Sequence, residues 1–133
     1  MKEKRKKEEG RKKKERGETN PGILIVNAVV EGHPGKVLVP LTSNDVSSTW
    51  FTLGYDDTSW TGAVTGIGYD TYVEYDPLIA TDLEAQMHNV RASAYLRLKF
   101  ELDLDGYQAT SMSLRMRYDD GFAIYLNGTE IAA

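Results

Sequence analysis

No cysteine occurs among the 133 residues, which excludes disulfides, thiol nucleophiles and thiolate metal sites and leaves the redox compartment open. Histidine is nearly as scarce. His33 lies in a Gly-Pro turn and His88 beside a short helical pattern, and no recognisable serine motif accompanies either, so the one catalytic arrangement left is a glycosidase-type carboxylate pair, whose spacing across a cleft no sequence pattern marks. The expectation is a protein that is not an enzyme. Long apolar runs are absent too: residues 23–30 form the best one, and it is broken by Asn27 and falls short of the roughly 18 to 20 residues of a membrane span. The basic stretch ahead of it does not make a signal peptide, because it is too long, is laced with Glu and leads to no small-residue cleavage pattern. A membrane partner is not expected.

Residues 2–18 contain no apolar side chain at all, so they cannot bury surface to offset the entropy of ordering. They hold ten of the sixteen Lys and Arg but only five of the twenty acids, which predicts a charged tail, disordered or a fraying helix, over residues 1–20. Residues 19–133 carry six basic and fifteen acidic side chains. That acidic balance makes the folded part a poor partner for nucleic acid.

What is present reads as β structure. Asn20-Pro21-Gly22 is a turn that opens one module over residues 21–133, and residues 23–30 and 36–39 read as strands separated by Gly32-His33-Pro34-Gly35. Over residues 95–104, Leu96, Leu98, Phe100, Leu102 and Leu104 alternate with Tyr95, Arg97, Lys99, Glu101 and Asp103, the pattern of a half-buried strand. Met112, Leu114, Met116 and Tyr118 repeat it after a turn at Gly106, and Phe122, Ile124 and Leu126 repeat it again. Asn127-Gly128 supplies the two positive φ angles of a type I′ turn, which predicts a hairpin of residues 122–126 with 129–131. Three amphipathic antiparallel strands need a second apolar layer, so the fold class expected is all-β, an antiparallel β-sandwich. Between residues 55 and 89 the chain is loop-rich, with one short helix expected over residues 81–88, Thr81 capping it and Glu84 at its third position.

Trp50, the segment Tyr55-Asp56-Asp57-Thr58-Ser59-Trp60, Gly66-Ile67-Gly68-Tyr69, Ile79-Ala80-Thr81-Asp82, Met87, Tyr95-Leu96-Arg97 with Phe100, and above all the run from Tyr118 through Asp119-Asp120-Gly121-Phe122 to Tyr125-Leu126-Asn127-Gly128 occur in an order that carries a likeness. From about residue 37 onward the chain resembles the galactose-binding-like jelly-roll domain of large secreted bacterial multidomain proteins. The resemblance implies a carbohydrate-binding-module-like accessory function, an extracellular or cell-surface setting, a glycan ligand and neighbouring domains of a parent chain as partners. Further strands normally follow this hairpin in such modules, so it also implies an incomplete C-terminus.

Chemistry is sparse. Gly62, Gly66 and Gly68 lack a following Lys-Ser or Lys-Thr and a βαβ setting, so no phosphate cradle is expected. The acid pairs Asp56-Asp57, Asp103 with Asp105, and Asp119-Asp120 admit a structural calcium, but none has the spacing of a twelve-residue calcium loop, and Asp at turns accepts backbone N–H bonds. No other cofactor is implied. Asn127-Gly128-Thr129 matches a glycosylation sequon whose Asn the turn already explains. Trp50 and Trp60 flank a turn and read as core, whereas Tyr69, Tyr72 and Tyr75 lie in a polar loop, where flat rings suit the C–H face of a sugar. With Asp70 and Glu74 in the same loop, and Asp119 and Asp120 beside the hairpin, they make up the expected ligand-binding residues. Two readings stay open: a glycan-binding accessory module, or a spacer or protein-interaction domain with no small ligand.

Overall fold

A computed structural model describes residues 25–133. The expectations for the charged tail and for the start of the first strand lie outside those residues. The described chain is β-rich with little helix, and its strands are β1 (Pro34–Leu38), β2 (Thr61–Val64), β3 (Ile67–Gly68), β4 (Thr81–Asp82), β5 (Tyr95–Arg97), β6 (Ile124–Leu126) and β7 (Thr129–Ala132). One helical turn, α1, spans Glu84–Met87. β1 is the centre of the largest sheet, antiparallel to β2 on one side and to β5 on the other, and β3–β4 and β6–β7 form two further pairs. The sheets are small and open.

Alternation explains why β1 is central: Val37 points inward at 4% exposure and packs with Ala63 of β2 and Leu83, the residue before α1, in the small buried core. Gly35 permits the close pairing with β5, because a Cβ there would run into the Leu98 side chain and the Arg97 carbonyl. The second centre of packing is aromatic. Trp60 is buried and stacks on Trp50, with ring centroids 6.4 Å apart, and Trp50 also meets Tyr95 of β5 at 5.0 Å and Tyr125 of β6 at 5.6 Å, both edge-on. This cluster joins the hairpin to the three-stranded sheet. The hairpin turn is as expected, with φ of 49° at Asn127 and 87° at Gly128, and Leu126 sits opposite Thr129.

Several expected elements differ. Residues 25–30 form no strand and are largely exposed, since none of the described strands pairs with them. Among the described residues, the strand of residues 95–104 is paired only over its first three residues, and residues 98–104 join no ladder. Residues 111–118 are likewise unpaired and are exposed throughout. The helix is confined to Glu84–Met87, because Thr81 belongs to β4 and its hydroxyl is bonded to both the N–H and the carbonyl of Val64, at 2.9 and 2.8 Å. The residue at the helix's N-cap is Leu83, which offers no side-chain acceptor, and Asp82 beside it accepts the Glu84 N–H at 2.8 Å.

Candidate functional site

The loop from Tyr69 to Ala80 is held at its base before it is shaped at its tip. Gly66, at φ 90°, turns its carbonyl onto the N–H groups of Ala80 and Thr81, at 2.7 and 3.0 Å, and a Cβ there would strike the Leu78 carbonyl. Gly68 accepts from Leu83 N–H at 2.9 Å, which ties the loop's return to a residue buried in the core. Both ends are thus fixed by main-chain bonds.

At the tip, Asp70 accepts the N–H of Tyr72 at 2.8 Å with one carboxylate oxygen and the N–H of Tyr75 at 2.7 Å with the other. Those bonds hold its carboxyl below the usual carboxylate range, Tyr75 contributing most, because they favour the charged form. The two donors are then turned inward and their rings outward: Tyr72 is 79% and Tyr75 55% exposed. Tyr69 stacks instead on His88, centroids 5.6 Å apart and 27° between planes, and His88 Nδ1 lies 3.4 Å from Glu84 Oε1.

Between this loop and the start of α1 lies an open cleft of about 440 Å³, lined by Asp70, Thr71, Val73, Asp76, Ile79, Asp82 and Glu84. Of the expected ligand-binding residues, Asp70 lines it, and Tyr69, Tyr72, Glu74 and Tyr75 belong to the loop that walls it. Asp119 and Asp120 are exposed and are not part of the lining. Asp76, Asp82 and Glu84 were not legible as site residues: Asp82 and Glu84 read as a helix start, and Asp76 only as the residue before Pro77. With four carboxylates and no basic side chain in its lining, the cleft repels anions and suits neutral polyols or cations.

The acid pairs at turns behave as local acceptors. Asp56 accepts from Thr58 N–H at 3.0 Å, Asp103 from Asp105 N–H at 2.9 Å and Asp119 from Asp120 N–H at 2.9 Å. Among the described residues no group of three or more His, Asp or Glu is placed to hold a metal ion, and no helix is long and apolar enough to cross a membrane. Asp57 is the exception among the acids: it is buried and ion-paired to Arg97 at 2.9 Å and to Lys99 at 3.2 Å. Burial pushes its carboxyl up, but hydrogen bonds and charge from Arg97 and Lys99 outweigh that and hold it below the usual range.

Comparison with known protein families, characterised proteins and solved structures finds no match for this chain. The functional argument therefore rests on the site itself.

A pH prediction follows from Asp70. Its folded-state carboxyl titrates lower than its ordinary value of 3.8, so the ordering it gives the loop is fully present above that value and is lost as pH falls through the lowered one. Amide resonances of Tyr72 and Tyr75 are expected to hold constant from neutral pH to about 5 and to move together only in strong acid. Asp70→Ala should remove that transition and broaden both resonances, as NMR at a series of pH values will read.

Proposed function

We propose that the chain is a non-catalytic carbohydrate-binding accessory module of a larger extracellular protein, binding a glycan at the loop of Tyr69, Tyr72 and Tyr75. The carrying observation is the pairing of two outward tyrosine rings with a carboxylate-lined cleft of ligand size on one rigidly tethered loop. The rings offer flat apolar faces for sugar C–H groups, and Asp76 and Glu84 offer acceptors for hydroxyls. Asp70 acts mainly by shaping the loop, since both its oxygens already hold backbone N–H groups.

A β-sandwich of the galactose-binding-like jelly-roll type is part of the proposal. Its support is the position of Trp50, which touches Tyr95 of the three-stranded sheet and Tyr125 of the hairpin, as a residue between two layers would. Asp119 and Asp120, three and two residues ahead of Phe122, stand in this reading as a secondary contact.

An open cleft binds weakly, so a dissociation constant between about micromolar and millimolar is expected, worth roughly 4 to 8 kcal/mol. Titration with a panel of neutral oligosaccharides should shift amides of residues 69–76 in NMR spectra. Tyr72→Ala should abolish those shifts while changing stability by no more than about 0.5 kcal/mol, because the ring is exposed. Shifts that survive the substitution would place the ligand elsewhere, and none across the panel would favour the spacer reading.

A further inference from the structure

We infer that residues 98–104 and 112–118 are the two halves of a self-association surface whose partner is a second copy of this chain. Among the described residues, neither segment joins a ladder. Met112, Leu114, Met116 and Tyr118 are each between 43% and 64% exposed, a row of large apolar side chains standing in water beside unpaired main-chain groups.

The reason that the two segments do not pair with each other lies in the turn between them. Asp105 and Gly106 have φ of 44° and 85°, and Tyr107 N–H donates to the Leu104 carbonyl at 2.8 Å, which is the two-residue hairpin turn. That turn seats Tyr107 beside Leu104. Continuing the register sets Leu102 opposite Ala109, Phe100 opposite Ser111 and Leu98 opposite Ser113, while Met112 faces Lys99 and Leu114 faces Arg97. The apolar rows then fall on opposite faces of the hairpin. A bulge in the second strand would bring the rows to one face but would set Arg97 opposite Arg115, and one in the first strand would leave Glu101 opposite Ala109, without a basic partner.

A second copy is free of this constraint. Pairing antiparallel between chains, Leu104 can face Leu114, Asp103 face Arg115, Leu102 face Met116, Glu101 face Arg117 and Phe100 face Tyr118. Over residues 100–104 and 114–118, every apolar residue then meets an apolar one and both acids meet a base. Because each chain carries one acidic and one basic segment, a two-fold axis makes both ladders at once and the assembly closes as a dimer.

Analytical ultracentrifugation of the full chain over a dilution series should show a reversible monomer–dimer equilibrium. Glu101→Lys with Asp103→Lys, and separately Arg115→Glu with Arg117→Glu, should each raise the dimer dissociation constant by roughly tenfold or more, by placing like charges opposite each other. Mixing the two variants should restore dimers, now mixed, since each basic segment of one meets an acidic segment of the other. Near-UV circular dichroism like that of the parent would show that both variants fold. A monomer at every concentration, as intrachain pairing would give, overturns the inference. So does an oligomer insensitive to the reversals, or a mixture that does not recover.

Discussion

Asp57→Ala is expected to destabilise the protein by about 3 to 5 kcal/mol, the cost of leaving one member of a buried ion pair without its partner. Asp57 and Arg97 side chains are 5% and 10% exposed, so the stranded guanidinium could not recover its hydration by a small movement. Arg97 is also fixed from other sides: it donates to the carbonyls of Trp50 and Thr52 and lies over the Tyr55 ring, 5.1 Å from its centroid. The pair with Lys99 contributes less, because the lysine is 68% exposed and its charge is screened. Urea unfolding should therefore show a large drop for Asp57→Ala and a change below about 1 kcal/mol for Lys99→Ala. Replacing both Asp57 and Arg97 by apolar residues should recover part of the loss, since no buried charge then remains. An Asp57→Ala protein as stable as the parent would mean that the pair is open to water in solution.

Trp60→Ala is the second large effect, about 3 to 5 kcal/mol, because it removes a ring that is 4% exposed and leaves a cavity that its neighbours cannot close. The ring is stacked on Trp50 and lies edge-on to Tyr55, 5.8 Å away, so its loss loosens the cluster that joins the hairpin to the sheet. Among the described residues only Val37, Ala63 and Leu83 complete the buried apolar core, and a domain with so small a core has little stability to lose. Near-UV circular dichroism should collapse and the urea transition should lose cooperativity, whereas Tyr72→Ala should alter neither. Asp57 and Trp60 are linked by a main-chain bond, Trp60 N–H to the Asp57 carbonyl at 3.0 Å, so their effects should not add.

The contrast between those two rings was legible in the sequence. Trp60 follows a short polar turn and precedes a strand, whereas Tyr72 lies among acids and hydroxyls between Gly68 and Pro77, and composition alone separates a buried ring from an exposed one there. The exposure of the loop's rings could thus be read in advance. The cleft could not, because Asp76, Asp82 and Glu84 reach it only through the pairing of β3 with β4, which no local pattern announces.

By itself the sequence determined the features set by one or two residues' own torsions: the β-rich character, the turns at Asn127-Gly128 and Asp105-Gly106, and the hairpin that the first of these closes. Tertiary structure alone decided which strands pair. Alternation names the face a strand buries but not its neighbour, so the same period-two pattern yields a paired β5 over three residues and an unpaired run beyond it. It also decided the centre of charge, since Asp57 and Arg97 are 40 residues apart and only the junction of the aromatic cluster with β5 brings them within hydrogen-bonding distance. Local torsions carry their own energy wherever they occur, whereas a ladder or an ion pair exists only once the chain has placed both partners, and that placement is a property of the whole fold.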